Sequence, residues 1–198
     1  MQNILSLQND RVIGRNLSSQ STSPAVTYYS LLFDGTNDVA TVADKSNYEG
    51  LVAGTWEWFF KTSYSASYQK FFNKTDAIDM GITQDFGGGA KFFGKIDGVN
   101  DFGEVNIGVA DGLWHYIAIS WNASTIEVYL DGTRYVNNAS AGTQTTGSGV
   151  LNVASNGSGE FFNGNLSFVR ISNIKRYTGA SISVPTTPYF INDANTVQ

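Results

Sequence analysis

Apolar and polar residues alternate most clearly between residues 111 and 136. Apolar side chains occupy every second position of Ile126–Leu130, which predicts a strand with one apolar face and one face that meets water. The aromatic and β-branched run Trp114–Trp121 predicts the strand before it. Asp131-Gly132 predicts a tight turn, because glycine accepts a positive φ without a Cβ clash. The pattern therefore predicts an antiparallel hairpin, followed by a third strand at Arg134–Val136.

Short runs with the same two-residue period, separated by polar or glycine-rich turns, predict further strands on both sides of this hairpin. They are Tyr28–Phe33, Val39–Ala43, Trp56–Lys61, Gln69–Lys74, Ile78–Ile82, Lys91–Ile96, Glu104–Val109, Val150–Ala154 and Asn165–Ser172. No stretch of ten residues predicts a helix. The apolar positions that share one strand face predict a core containing Ile117, Ile119, Ile126, Val128, Leu130, Val169 and Ile171.

The composition supports a single all-β domain. With 21 Gly, only 3 Pro and 14% aromatic residues, the 198 residues suit many strands joined by tight turns. A net charge of −5 without a basic run argues against a nucleic-acid partner. The lack of cysteine excludes a disulfide framework. No apolar stretch approaches the ~20 residues of a membrane-spanning helix, so we expect no membrane insertion.

The first part of the chain differs from the rest. Met1–Val26 is rich in Ser, Thr, Gln and Asn, with only isolated apolar residues, and is too short to form its own core. We therefore divide the chain into an N-terminal arm at residues 1–26 and a β-sandwich domain at residues 27–198. The arm either orders on a partner or is a terminus without that role. It lacks a signal-peptide pattern, so we expect synthesis in the cytoplasm without export.

Three motifs in the right order resemble a known superfamily. Asp111-Gly-x-Trp114-His115, followed by Val128-Tyr129-x-Asp131-Gly132, resembles the central hairpin of the laminin-G-like, concanavalin A-like jelly-roll superfamily. Leu32–Val39 is similar to its opening strand and turn, and Phe162–Ser172 to its penultimate strand. The resemblance implies an all-β, concanavalin A-like (laminin-G-like) jelly-roll β-sandwich, to which the extended N-terminal arm is added. It does not decide the function, because this fold hosts lectins, hydrolases and structural modules.

The end of the chain carries a further resemblance. Arg176-Tyr177-Thr178-Gly179, a proline-containing run, and then Asp193–Val197 are similar to the closing pattern of laminin-G-like domains carried by bacteriophage tail and head proteins. In those domains the last strand usually continues past the residue that matches Val197, whereas this chain stops at Gln198. We therefore expect the closing strand to be short, missing or supplied by another chain.

The sequence offers no catalytic constellation. Glycosidases need two carboxylates about 5–9.5 Å apart, and hydrolases of this superfamily carry them as an alternating cluster on one strand. None of the five glutamates has a second acid two residues away, which leaves only a pair from two different strands open. His115 is the single histidine and has no Ser-His-Asp signature around it, so we expect a buried or hydrogen-bonded role. We therefore expect this protein not to be an enzyme.

Asp34, Asp38 and Asp111 are candidate calcium ligands, because Ca²⁺ takes six to eight oxygen atoms, which turn carboxylates and carbonyls supply. Many relatives also carry an acidic pair just before the penultimate Val-Arg-Ile. Here Ser167 and Phe168 stand at those positions, which removes two carboxylates. Capping of the turn by its own aspartates is the alternative that we favour. We therefore expect calcium binding to be absent or weak, and no other cofactor.

Exposed aromatic rings beside amide or carboxylate side chains would suit a glycan, because sugar C–H faces stack on rings while polar groups bind hydroxyls. The candidates are Tyr64, Tyr68, Tyr129 and Tyr135, with Trp121 as a further one.

Two function classes stay open. The first is a non-catalytic virion structural protein, a capsid-decorating or tail-associated surface protein that attaches to other virion subunits through its arm and contacts host-surface polysaccharide. It predicts a virion-surface location and an oligomeric assembly. The second is a stand-alone carbohydrate-binding adhesin or lectin module, and a glycoside hydrolase is disfavoured. The polar arm, the closing motif, and the lack of cysteine and of an export signal favour the virion protein.

Overall fold

The structure is a computed structural model that describes residues 7–9, 29–85, 87–140, 142–186 and 193–197. These residues form fourteen β-strands, numbered in chain order, and one 3₁₀ turn at Ser46–Tyr48. In spatial order the larger sheet comprises β1 (Leu7–Asn9), β2 (Tyr29–Asp34), β13 (Asn163–Ser172), β4 (Gly54–Lys61), β9 (Trp114–Trp121), β10 (Thr125–Leu130) and β11 (Thr133–Ala139), and β14 (Thr196–Val197) also pairs with β13. The smaller sheet comprises β3 (Ala40–Val42), β12 (Leu151–Val153), β5 (Gln69–Lys74), β6 (Ile78–Ile82), β7 (Lys91–Ile96) and β8 (Asn100–Gly108).

The jelly-roll sandwich predicted from the sequence is confirmed, since two antiparallel sheets pack face to face around one core. The two-residue period placed β5, β6, β7 and β9 at their observed bounds. Within the described part of the chain, no helix is long and apolar enough to cross a membrane.

Aromatic side chains from both sheets meet in the core. Trp56, Trp58 and Phe60 occupy alternate positions of β4 and are fully buried. The ring of Trp58 lies edge-on to those of Phe72 and Phe92 in the smaller sheet, with centroid distances of 5.0 and 5.9 Å. Edge-to-face pairs of this kind add about 0.5–1.5 kcal/mol to the hydrophobic contribution of the buried area. The core is therefore an aromatic layer held between the two sheets.

Most of the predicted core is buried, but one residue is not. Ile117, Ile119, Ile126, Val128 and Leu130 are at most 2% exposed, and Ile171 packs against the core. Val169 is instead 44% exposed. The cause is an irregularity in β13, where the pairing with β4 shifts between Ser167 and Arg170 and Phe168 takes a φ of 50°. A bulge of this kind breaks the strict alternation of faces on which the prediction depended.

The outer face of the larger sheet does not meet water as the alternation on β10 predicted. Glu127 is 3% exposed and Tyr129 is fully buried. Residues 173–184, here called the C-terminal strap, cross this face and pack on it. A second apolar cluster lies beneath the strap and comprises Phe59, Tyr116, Ala118 and Tyr129, with Trp114, Phe168, Tyr177, Ile182 and Val184 packed against it. The strap therefore gives the larger sheet a second buried face.

Main-chain hydrogen bonds hold the strap on β11 and on the turn before it. The Ile182 N–H donates to the Gly132 carbonyl at 2.8 Å, and the Arg134 N–H donates to the Ala180 carbonyl at 3.1 Å. Glycine is required at position 132, because its φ is 83° and a Cβ there would lie 2.6 Å from the Ile182 carbonyl oxygen. The turn dipeptide of the central hairpin thus also accommodates the strap.

The two closing motifs are joined by an ion pair. The Arg176 guanidinium donates to both carboxylate oxygens of Asp193, at 2.7 and 2.8 Å. This pairing, with further hydrogen bonds from Asn195 and Thr196, holds the pKa of Asp193 well below its usual value. Asp193 begins the turn before β14, which pairs with β13 through only two residues. The closing strand is therefore short within the described residues.

The Val128→Ala substitution should destabilise the protein by about 1–2.5 kcal/mol, because it removes two fully buried methyl groups and leaves a partial cavity. The matched control is Val169→Ala, which removes the same atoms from an exposed position and should cost less than about 0.5 kcal/mol. Urea unfolding measures both values. Equal losses would contradict the observed register of β10 or the bulge in β13.

Candidate functional site

Three of the loops that carry sequence candidates meet at one end of the sandwich. The turn 34–38 and the loop 62–68 are linked through Asn163, whose side-chain amide donates to the Asp34 carbonyl at 2.9 Å. The Thr62 hydroxyl donates to the Asn163 carbonyl at 2.6 Å. The turn 109–113 joins them through a Gly112 N–H bond to the Thr62 carbonyl at 2.8 Å. We refer to these three segments as the rim.

The three candidate calcium ligands accept hydrogen bonds from main-chain N–H groups of the rim. Asp34 accepts the Thr36 N–H at 2.8 Å, and Asp38 accepts the Asp34 N–H at 3.0 Å. Asp111 accepts the N–H of Leu113 at 2.8 Å. Among the residues that the structure describes, no three His, Cys, Asp or Glu side chains are placed to hold a metal ion together. In this arrangement each of these aspartates caps a turn.

His115 connects two turns. Its Nδ1 lies 2.8 Å from Asp131 Oδ2, and its Nε2 lies 3.0 Å from Asp111 Oδ1. Burial alone would lower the pKa of His115, but hydrogen bonds and charge from Asp131, and then from Asp111, outweigh burial and raise the pKa above its usual value. The imidazole thus links the two carboxylates, and in its protonated form it donates to both. This geometry agrees with the hydrogen-bonded role expected from the sequence.

The outer face of the smaller sheet carries a row of polar side chains. Register pairing places one residue of each strand at the same level. In spatial order the row, here called the polar row, consists of Thr41, Asn152, Asn73, Asp79, Lys95 and Asp101. Each of these side chains is partly or fully exposed, and on β5, β6 and β7 the neighbouring residues Phe72, Met80 and Ile96 face the core. The polar row therefore crosses all six strands.

Two aromatic rings lie beside the polar row. Phe93 on β7 contacts Tyr68 edge-on with a centroid distance of 6.1 Å, and Tyr68 is 39% exposed. We call these two residues the aromatic platform. Gly81 pairs with Phe93, and a Cβ at Gly81 would lie 3.0 Å from the Phe93 ring and 2.1 Å from the Gln69 carbonyl oxygen. Glycine at this position lets the Phe93 ring lie close to the sheet.

The ammonium group of a lysine beneath the platform forms ion pairs with two carboxylates. Lys70 Nζ lies 4.6 Å from the centroid of the Phe93 ring, and 2.7 and 3.4 Å from Asp79 and Glu160 respectively. Asn73 and Asn156 donate to the same two carboxylates, at 3.3 and 3.0 Å. Lys70 is 7% exposed, whereas each carboxylate side chain is 38% exposed. The ammonium group therefore balances charges that still face solvent and can accept hydrogen bonds.

The structure divides the aromatic candidates into three groups. Tyr64 and Tyr68 lie in one loop and are 38% and 39% exposed, and Tyr68 belongs to the platform. Tyr135 is exposed on β11, in the other sheet. Tyr129 and Trp121 have no exposed surface, so their assignment as glycan candidates is wrong. Tyr129 lies under the C-terminal strap and donates to the Gly179 carbonyl at 3.1 Å, and burial raises its pKa to about 12.

Several residues of this surface were missed by the sequence analysis. Phe93 follows Phe92, and two consecutive residues of a strand face opposite sides, so one of the two rings had to point outward. Asp79 alternates with the core residues Ile78 and Met80 in the same way. No comparable signal exists for Glu160, which reaches Lys70 from the loop before β13 with a φ of 48°.

Comparison with known proteins identifies the family. The model of the concanavalin A-like lectin/glucanases superfamily, of the laminin G type, matches residues 33–183. That match covers more than half of the chain, so this protein belongs to the superfamily. Among curated proteins, none has a sequence that matches this chain.

Solved structures share the fold at low sequence identity. A putative carbohydrate-binding protein from Bacteroides ovatus has a TM-score of 0.62 and 14% identity, over 75% of this chain and 44% of that one. Domain 4 of AbnA, a GH43 extracellular arabinanase from Geobacillus stearothermophilus solved in complex with arabinotriose, has a TM-score of 0.57 and 14% identity, over 84% and 80%. The CBM40 of Ruminococcus gnavus IT-sialidase, bound to α2,3 sialyllactose, has a TM-score of 0.53 and 10% identity, over 71% and 92%. These similarities establish the fold of this chain.

The stability supplied by His115 should fall as the pH rises. Because its folded pKa is raised, the contribution is fully present below the unfolded value of about 6.5 and is lost as the pH passes through the folded pKa. The difference in unfolding free energy between the wild type and His115→Gln should therefore be larger at about pH 5.5 than at about pH 8.5. Asp111→Asn should reduce this dependence. Denaturant titrations at both pH values test it, and a difference that grows with pH would contradict the assignment.

Proposed function

We propose that this protein is a non-catalytic carbohydrate-binding module whose ligand lies on the outer face of the smaller sheet. The observation that carries the proposal is the aromatic platform, Tyr68 and Phe93, placed beside a row of exposed amide and carboxylate groups. A sugar presents an apolar C–H face and a set of hydroxyl groups, and this surface offers a partner for each.

The similar structures support the same function. They include a putative carbohydrate-binding protein, a domain in complex with arabinotriose and a module bound to sialyllactose. Sandwiches of this shape are thus used to bind glycans in other proteins. At 10–14% identity they do not identify the residues that would do so here, and the platform and the polar row supply that argument.

The acid pair that lies beside the aromatic platform suits binding better than hydrolysis. Asp79 and Glu160 come from two elements and converge on Lys70 Nζ. A glycosidase places its two carboxyl groups on either side of the scissile bond. Here both carboxylates instead face one ammonium group, and each accepts a hydrogen bond from an asparagine amide. We therefore assign these groups to hydrogen bonding with sugar hydroxyls.

Phe93→Ala and Tyr68→Ala should each weaken glycan binding by about tenfold, since stacking on an aromatic ring contributes about 0.5–1.5 kcal/mol beyond the buried area. The matched control is Tyr135→Ala, which removes an exposed tyrosine from the other sheet and should leave affinity unchanged. Isothermal titration calorimetry against a glycan identified on an array measures all three. Loss of binding in Tyr135→Ala alone would move the site to the larger sheet.

A second candidate function places this module on a virion, as a capsid-decorating or tail-associated protein that contacts host-surface polysaccharide. The closing motif favours it, because the residues that resemble bacteriophage domains form a connected unit in which Arg176 holds Asp193. Met1–Val26 would attach the module to neighbouring subunits. Within this segment Leu7–Asn9 pairs with β2 at the edge of the sheet, and the remaining positions lie outside the described residues. For this function the protein would be made in the cytoplasm and located at the virion surface.

A chain that begins at Ala25 should fold and fail to assemble. β2 keeps its pairing with β13 after β1 is removed, so the circular dichroism spectrum should stay of the β type. Light scattering and incorporation into particles should show that the full chain assembles and the truncated chain does not. Normal assembly of the truncated chain would remove the attachment role from the arm.

A further inference from the structure

The polar row is long compared with a single sugar. It crosses six strands, and five inter-strand spacings of about 4.8 Å give a length of about 24 Å. The aromatic platform lies beside the row rather than at its end, since Phe93 belongs to the fifth of the six strands. Polar groups continue on both sides of the platform, with Asn73 and Asn152 on one side and Asp101 on the other. A ligand that contacts the whole row must therefore extend in both directions from the sugar that stacks on the platform.

The charges of this face indicate what kind of sugar it accepts. Each of its three lysines already lies against a carboxylate: Lys70 against Asp79, Lys91 against Glu104 at 3.3 Å, and Lys95 against Asp97. Two further carboxylates, Glu160 and Asp101, add negative charge. An anionic sugar would meet this excess of carboxylates, and like charges at close range repel. Uncharged hydroxyl groups instead make charge-assisted hydrogen bonds to carboxylates.

We infer that the ligand of this site is the interior of an extended, uncharged glycan chain, bound through several consecutive sugars along the polar row with one sugar stacked on Phe93. The inference rests on the carbohydrate-binding function proposed above and specifies its ligand class. A site of this kind differs from a site that binds the charged end of a glycan. The amides at Asn73 and Asn152 and the carboxylates at Asp79 and Asp101 supply the hydrogen bonds along the chain.

The length of the ligand is tested with the full chain and oligosaccharides of two to six units prepared from neutral arabinan, mannan and β-glucan. Affinity measured by calorimetry should rise at least tenfold from the disaccharide to the hexasaccharide of the series that binds. Asn152→Ala and Asp101→Ala, at opposite parts of the row, should weaken hexasaccharide binding several-fold and leave disaccharide binding unchanged. Asn137→Ala, an exposed asparagine on β11, is the matched control and should change neither. Equal affinity for all lengths would overturn the inference.

The charge of the ligand is tested with polygalacturonate, hyaluronan and polysialic acid. These anionic polymers should bind at least tenfold more weakly than the neutral ones. Tighter binding of an anionic polymer that is lost in Phe93→Ala would overturn the inference while leaving carbohydrate binding at this site intact. If neither class binds, or if binding is unaffected in both Phe93→Ala and Tyr68→Ala, the proposed function fails and the inference fails with it.

Discussion

The carboxylate of Glu57 has no solvent exposure. The groups that pair with this buried carboxylate connect the strands and the strap on the outer face of the larger sheet. Leaving a buried charge unpaired would cost several kcal/mol. Arg170 lies 2.6 Å from Oε1, the Tyr177 hydroxyl donates to Oε2 at 2.8 Å, and the Tyr116 hydroxyl also donates to Oε2. These partners come from β13, the strap and β9. The irregular register of β13 and the path of the strap are thus linked to one acidic residue on β4.

This arrangement gives the two sheets different roles. The outer face of the larger sheet is occupied by the strap, which carries Tyr177 and covers Tyr116, and burial together with the nearby charge of Glu57 raises the pKa of both hydroxyls. The corresponding face of the smaller sheet keeps exposed polar groups and one partly exposed aromatic pair. In the described structure, the surface chemistry that suits a sugar therefore lies on the sheet that the strap does not cross.

Local patterns predicted the strands well, because alternation is a property of neighbouring residues. They failed where distant residues intervene. Tyr129 alternates with core residues and was expected to face water, but the strap, about fifty residues later in the chain, covers it. Val169 was expected in the core, but the bulge at Phe168 changes its orientation. Within the candidate site, alternation alone would have placed Phe93 and Asp79 outward, whereas the contact of Glu160 with Lys70 depends on loop geometry that no spacing encodes.

The same register that builds the core also aligns the polar row. Asn73, Asp79 and Lys95 are cross-strand partners, and Phe72 and Met80 are the partners one position away that face inward. A one-residue slip between β5 and β6 would expose those core residues and would also break the row, so packing strongly disfavours it. The alignment of hydrogen-bonding groups over about 24 Å is consequently maintained by hydrophobic burial on the opposite side of the strands. Single substitutions within the row should therefore cost little stability, because the burial that fixes the register is left intact.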